Sequence, residues 1–190
     1  MLGVAPVAGW AGEVQIGTVG RLEPPGRDPL LAIRFGDEAT VRDLVESASR
    51  PLLPRDALGP PIRLAAEFGR VEIVRVLLEA DEDPTDGLAA AAGHGHLDAV
   101  RLLTEAGARI DEPIGWTPLM VAADGGFDQV VDHLLRRGAN PHLRSATTDA
   151  RWNNQTPLDL AKARVAAGVE GPRRDYRRVV QLLRASPSAV

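Results

Sequence analysis

The 190-residue chain reads as all-α, a helical solenoid of about four to five helix–turn–helix units. Three observations predict it. A pattern of two small residues, a glycine, a β-branched pair and a leucine pair recurs along the chain. The pattern's glycines, Gly36, Gly69, Gly95, Gly126 and Gly168, are spaced 33, 26, 31 and 42 residues apart, scattered about one helical-repeat period. Aromatic residues make up only 4% of the chain, so the core is left to Ala, Val and Leu, which suits thin helices packed closely.

The units follow in order. Residues 27–59 carry Ala32, Ile33, Gly36, Val41, Leu44 and Val45, with Thr40 where the first β-branched apolar residue belongs. Residues 60–85 hold a full copy: Ala65, Ala66, Gly69, Ile73, Val74, Leu77 and Leu78. Residues 86–114 hold Ala91, Ala92, Gly95, Ala99, Val100 and Leu103. Residues 115–153 hold the clearest copy, Ala122, Ala123, Gly126, Val130, Val131, Leu134 and Leu135. Residues 154–185 keep Ala161, Val179, Leu182 and Leu183, with Arg178 at the β-branched position. Ile73, Val74, Leu77 and Leu78 fall on one helical face, and Gly69 separates them from the alanines of a shorter helix. One such pair cannot bury its apolar face alone, whereas a stack can. The short third unit leaves too little chain for a full finger loop between Leu78 and Leu88, and the fifth carries an insertion. Polar residues at Thr40 and Arg178 mark the first and last units as caps.

Composition narrows the chemistry. With no cysteine, disulfides, thiolate zinc sites and a thiol nucleophile are excluded. A net charge of −4 argues against nucleic acid as the main partner. No stretch approaches the ~20 apolar residues of a membrane span. The apolar start, Met1 to Trp10, lacks a basic leader and is broken by Pro6 and Gly9, so a cytoplasmic protein is expected. Residues 1–26 are read as a mobile tail or, through Val14, Ile16, Thr18 and Val19, a short extended strand. Residues 186–190 are read as a tail.

The run Gly115, Trp116, Thr117, Pro118, Leu119, followed by Ala122, Ala123, Gly126, Val130, Val131, Leu134, Leu135, Gly138, Ala139 and Asn140, closely resembles one whole ankyrin repeat. Thr156, Pro157, Leu158 and Ala161 resemble the start of the next, and Gly95–His96 resembles the family's Gly-His turn. The Thr-Pro start has its own physical sense: proline needs no donor at the first helical position, and threonine before it caps the open amides. That start reads Pro60, Pro61, Ile62, Arg63 in the second unit and is almost erased in the third, at Asp86, Gly87, Leu88, Ala89. The resemblance spans roughly residues 28 to 185 and implies an ankyrin-repeat solenoid with short finger loops, working as a protein-binding module.

Carried over by position, the inner-helix variable pairs are Arg34 and Phe35, Glu67 and Phe68, Gly93 and His94, and Asp124 and Gly125. The fingers are residues 109–116, with Arg109 and Trp116, and 141–154, with Arg144, Arg151 and Trp152. Phe35 and Phe68 in consecutive units form an apolar strip if both face the groove; packing beneath residues 1–26 is the competing reading. Trp116 and Trp152 read equally as interface anchors or as packing between fingers.

Other candidates favour structural readings. His94 and His96, two apart around Gly95, make a poor metal pair without a third ligand, so no metal is expected. His96 is expected to bond within the turn, and His133 and His142 to lie at the surface. Asp81, Glu82, Asp83 and Asp86 lack the glycine and glutamate of a calcium loop and read as a solvated turn. Arg173, Arg174, Arg177 and Arg178 read as the outer face of a capping helix. No nucleophile elbow, phosphate-binding glycine loop or zinc-hydrolase helix is present. The expectation is a monomeric, non-catalytic adaptor, inhibitor or regulator that binds another protein and needs no cofactor. A small enzyme or ligand-binding domain built on the irregular third and fifth units stays open as the alternative.

Overall fold

The computed structural model describes residues 28–47, 59–112, 116–147, 149, 153–169, 171 and 174–186. The expectations for residues 1–26, Arg151, Trp152, Arg173 and most of the tail lie outside these described residues. Among them the chain is all-helical: α1 (Pro29–Phe35), α2 (Glu38–Ser47), α3 (Pro61–Glu67), α4 (Val71–Glu79), α5 (Pro84–His94), α6 (Leu97–Glu105), α7 (Pro118–Gly125), α8 (Asp128–Arg136), α9 (Pro157–Ala166) and α10 (Tyr176–Ala185). The odd-numbered helices stack side by side as an inner layer and the even-numbered helices as an outer one. The inner stack is the tighter of the two.

Small residues explain that closeness. Ala65, Ala66, Ala91, Ala92, Ala122, Ala123 and Ala161 are wholly buried, and Ile73, Val74, Leu77, Val100, Leu103, Val130, Val131 and Leu134 fill the space between the layers. Every inner helix starts with proline in its first turn: Pro29, Pro61, Pro84, Pro118 and Pro157. Asp28, Asp83, Thr117 and Thr156 cap four of these helices through side-chain oxygens that accept backbone amides.

The Ala-Ala-x-x-Gly spacing becomes a repeated helix stop. Gly36, Gly69, Gly95 and Gly126 take left-handed φ values of 80°, 63°, 73° and 74°. The next amide, on Asp37, Arg70, His96 or Phe127, donates to the carbonyl of the first small residue, at 2.8, 2.8, 3.0 and 3.1 Å.

These turn tips interlock. Arg70 lies over Gly36, His96 over Gly69, Phe127 over Gly95 and Tyr176 over Gly126. Arg70 donates to the Arg34 carbonyl at 2.9 Å, and His96 Nε2 stands 3.0 Å from the Glu67 carbonyl. The bond expected of His96 within its own turn is therefore a bond to the preceding unit. Its ring reaches the previous tip because Gly69 has no Cβ there.

Four further expectations need correction. The third inner helix starts at Pro84, three residues ahead of Gly87, which holds the proline position of the eroded start, and the unit boundary drawn between residues 85 and 86 falls inside it. Asp83 accepts from Thr85 N at 2.9 Å, so part of the acidic run is a helix cap rather than a solvated turn. Gly87 lets the added turn pass α3, since a Cβ there would sit 3.3 Å from the Ile62 carbonyl and the Ala66 Cβ. His133 is half-buried rather than superficial, with Nε2 2.9 Å from Thr104 Oγ1. Burial, aided by Arg137 and Arg101, holds its imidazole below the ordinary value. Finally, the first unit is not a polar cap: Leu31 and Phe35 of α1 are exposed. Thr40 is spent locally, its hydroxyl donating to Asp37 Oδ2 at 2.6 Å.

Candidate functional site

The inner layer presents one column of side chains just before each turn glycine. It runs Phe35, Phe68, His94, Gly125. Phe35 is 60% exposed and Phe68 37%, and His94 is also exposed. At Gly125 the column has no side chain of its own, and the Phe127 ring fills the space a Cβ would need. Aromatic groups therefore follow the tips from the first unit to the fourth.

The column beside it runs Arg34, Glu67, Gly93, Asp124. The Arg34 guanidinium stands 5.7 Å from the centroid of the Phe68 ring. Glu67 is half-buried. Gly93 adjoins Val121, where an added Cβ would make ordinary contact at 3.5 Å. Asp124 is held by Arg164 through two bonds of 2.7 Å, from Nε and from a terminal nitrogen. That bidentate pair raises the guanidinium pKa of Arg164 and ties α7 to α9.

The fingers are partly occupied by their own contacts. Arg109 bridges Glu112 at 2.6 Å and Asp83 at 3.3 Å, and its amide donates to Thr85 Oγ1 at 3.2 Å. Trp116 is half-buried at the foot of α7. Arg144 is exposed and donates to the Asn154 carbonyl at 2.9 Å. The base of the second finger closes where the Ser145 amide donates to the Gln155 carbonyl and the Gln155 amide to Ser145 Oγ, both at 2.9 Å. The other two finger residues singled out, Arg151 and Trp152, lie outside the described residues.

The structure brings Arg34 and Phe68 together with residues the sequence reading passed over. Leu31 and Leu64 stand one helical turn before Phe35 and Phe68, and Arg63 one turn before Glu67. A groove of about 510 Å³ between α1 and α3 is lined by Asp28, Leu30, Leu31, Arg34, Arg63, Leu64, Glu67 and Phe68. The helical period marked Leu31 and Leu64 as neighbours of the two phenylalanines, but it did not show that they stay uncovered.

A second hollow, also about 510 Å³, lies at the tips near the fifth-unit insertion, where His94, Asp128, Arg174 and Asp175 meet Phe127. Arg174 stands 5.9 Å from the centroid of the Phe127 ring. Among the described residues no hydrogen bond joins His94 to either carboxylate. His94 Nδ1 faces the Ala90 carbonyl at 3.0 Å, its ring lies parallel to His96 at 6.2 Å, and Asp175 accepts from Arg178 N at 2.8 Å. Among the described residues no three His, Asp or Glu side chains gather as a metal site, and no helix is long and apolar enough to cross a membrane.

Comparison with known proteins places this geometry. The family model "Ankyrin repeats (3 copies)" matches residues 62–145 and, overlapping them, residues 88–164. The mouse "Ankyrin repeat and SAM domain-containing protein 6" is 35% identical over 137 residues, covering 63% of this chain and 15% of that protein. The Escherichia coli "Putative ankyrin repeat protein YahD" is 42% identical over 86 residues, 41% of this chain and 40% of its own length. The human "Protein phosphatase 1 regulatory subunit 27" is 32% identical over 105 residues, 53% of this chain and 57% of the relative. The chain thus matches less than two thirds of each relative's length. The matched residues run from 62 to 164, more than half of the chain, and α1 and α2 before them stack on α3 and α4 in the same way. The chain belongs to the ankyrin-repeat family.

Proposed function

We propose that the chain is a non-catalytic protein-interaction module, an adaptor, inhibitor or regulator that engages a partner protein through its inner-helix face and finger loops. The observation that carries this reading is the exposed aromatic column of Phe35, Phe68 and His94 on a rigid inner stack. Aromatic side chains on a fixed scaffold make good anchors, because little conformational freedom is lost on binding. The family supports the class of function, and a human relative carries "regulatory subunit" in its name. Fold alone does not name the partner.

In this reading Phe35, Phe68, Arg34 and Glu67 form the centre of the interface, with His94, Trp116 and Arg144 towards its rim. Arg109 and Asp124 serve mainly to hold the scaffold, since both are engaged within the chain. We place Arg151 and Trp152 on the second finger as further contacts. The module works as a monomer in the cytoplasm, with no nucleic acid, membrane or cofactor involved.

The alternative, a small enzyme or ligand-binding domain, draws on the hollow near the fifth unit. It is the weaker reading, because His94 and Asp175 are bonded to backbone groups and not to each other. A capture experiment with the tagged chain as bait decides between them. The reading expects a protein retained by the parent and lost by the Phe35→Ala/Phe68→Ala variant at unchanged melting temperature. Equal retention by both would refute it.

A further inference from the structure

We propose that the α9–α10 end of the stack is a second docking surface, one that takes a short Asp- and Glu-rich segment of a partner protein. It lies at the opposite end of the solenoid from α1 and goes beyond the inner-face reading. Residues 160–186 carry seven Lys and Arg against two acidic residues, Glu170 and Asp175, on a chain whose net charge is −4.

The other outer helices show that α10 departs from the pattern. Helices α2, α4, α6 and α8 each carry an acidic residue in the first turn, Glu38, Glu72, Asp98 and Asp128. Each also has one arginine, and all four arginines are ion-paired: Arg42 with Glu38 and Glu79, Arg75 with Glu72, Arg101 with Asp98 and Arg136 with Asp132. Helix α10 keeps neither feature. It holds no carboxylate from Tyr176 to Ala185, and its three arginines, Arg177, Arg178 and Arg184, have none at ion-pair distance among the described residues. Arg177 and Arg178 also occupy the first turn, the helix end where cations are least favoured. A terminal cap needs a polar face, and mixed charges would serve that need as well. The single sign is what the capping role leaves unexplained, and a local rule broken without gain inside the fold points to a partner outside it.

The arginines form a row. Arg177 and Arg184 stand two turns apart on one face of α10, about 10 Å along its axis. Arg174 extends the row past the helix start and is placed over the Phe127 ring at 5.9 Å. Arg174 and Arg177 border a hollow of about 400 Å³ whose apolar lining is Val165 and Val169, and Val165 is 39% exposed. Asp175 also lines it, with Oδ1 accepting from Arg178 N at 2.8 Å as the helix cap. One carboxylate thus faces four exposed arginines, Arg174, Arg177, Arg178 and Arg184.

A short acidic segment fits this surface better than the other polyanions. The patch is about 10 Å long, which three to four extended residues cover. A nucleic acid is long enough to feel the rest of the chain, which is acidic, and a single strand needs open rings for stacking. Tyr176 is 5% exposed and Arg174 stands over Phe127. A lipid surface is held by large apolar or aromatic side chains beside the basic ones, and the exposed residues of α10 are Arg177, Arg178, Gln181, Arg184 and Ala185.

Fluorescence anisotropy on the full chain tests this. The probes are a labelled peptide of alternating Glu and Gly, its Lys-Gly counterpart and an oligothymidine, with phosphatidylserine vesicles tested by co-sedimentation. Binding of the Glu peptide alone is expected, weakening as salt is raised from about 50 to about 500 mM. Arg177→Glu/Arg184→Glu is expected to weaken it by about tenfold or more. Arg75→Glu/Arg101→Glu changes the net charge equally at paired arginines elsewhere and is expected to change binding by about twofold at most. All four positions are exposed, and a thermal melt checks that each variant keeps the fold. No binding of the Glu peptide, equal losses in the two reversals, or tighter binding of the oligothymidine or the vesicles would overturn the proposal. Phe35→Ala/Phe68→Ala is expected to leave the Glu peptide bound as before, so failure here and failure of the inner-face reading are told apart.

Discussion

Replacing Gly95 with alanine probes the interlocked turn tips directly, and the structure supplies its own control. Gly95 has φ +73°, and an added Cβ would lie 2.5, 2.6 and 2.9 Å from Cδ1, Cε1 and Cγ of Phe127. Gly138 has φ +92°, and a Cβ there would meet nothing within 4 Å. Both substitutions carry the left-handed penalty, about 1–2 kcal/mol for a residue with a side chain. Only Gly95 adds a packing clash, and forcing a well-packed group aside costs about 1–3 kcal/mol. Phe127 has little room to yield, because its ring also fills the space above Gly125. Gly95→Ala is therefore expected to lose about 2–5 kcal/mol and Gly138→Ala about 1–2 kcal/mol. Urea unfolding followed by circular dichroism reads the difference. For a chain of this size each kcal/mol moves the melting temperature by about 2–4 °C. Equal losses at the two glycines would show that the ring does not bear on the tip, and the interlock would be refuted.

Three further outcomes follow from named contacts. Asp124→Ala is expected to destabilise the chain by about 1–3 kcal/mol by removing both charge-assisted bonds that it accepts from Arg164, while the Asp124→Ala/Arg164→Ala pair costs less than the two singles summed; strict additivity in the double-mutant cycle would contradict the pair's coupling. Leu103, wholly buried between the layers, is expected to cost about 2–5 kcal/mol as alanine by chemical denaturation, and a loss under 1 kcal/mol would contradict its place in the core. Burial keeps the folded-state pKa of His133 below that of the unfolded chain, so the unfolded state takes up a proton first. Stability from this group is then full above about pH 6.5 and declines as pH falls through the window below it, a slope that His133→Gln should flatten; an unchanged slope in the variant would assign the pH dependence elsewhere.

Much of the solenoid was legible because its determinants are local. Ala-Ala-x-x-Gly encodes a helix stop with one backbone bond, and Thr-Pro encodes a helix start, so both read directly from spacing. The start of α5 is equally local, in Asp83–Pro84, but the eroded motif at Asp86–Ala89 points three residues further along the chain. What stayed hidden depends on which unit stands next to which. The His96 bond to Glu67 spans 29 residues and the Arg164 clamp on Asp124 spans 40. No period in the chain announces either. The same holds for the site. Phe35 and Phe68 were visible as an in-register pair, whereas the groove that Phe68 lines with Leu31, Arg34 and Arg63 exists only once α1 lies against α3. Thr40 shows the reverse hazard: a polar residue in an apolar slot looked like a cap for the whole array, yet its hydroxyl serves Asp37 three residues away.

Hydroxyl-radical footprinting of the chain, alone and with its captured partner, tests the inner-face interface most directly. Alone, Phe35 and Phe68 should oxidise readily, being 60% and 37% exposed. In the complex both are expected to be protected while Leu78 and Leu135 of the outer helices keep their rates. Unchanged oxidation of Phe35 and Phe68, with protection appearing on the outer helices, would contradict the account.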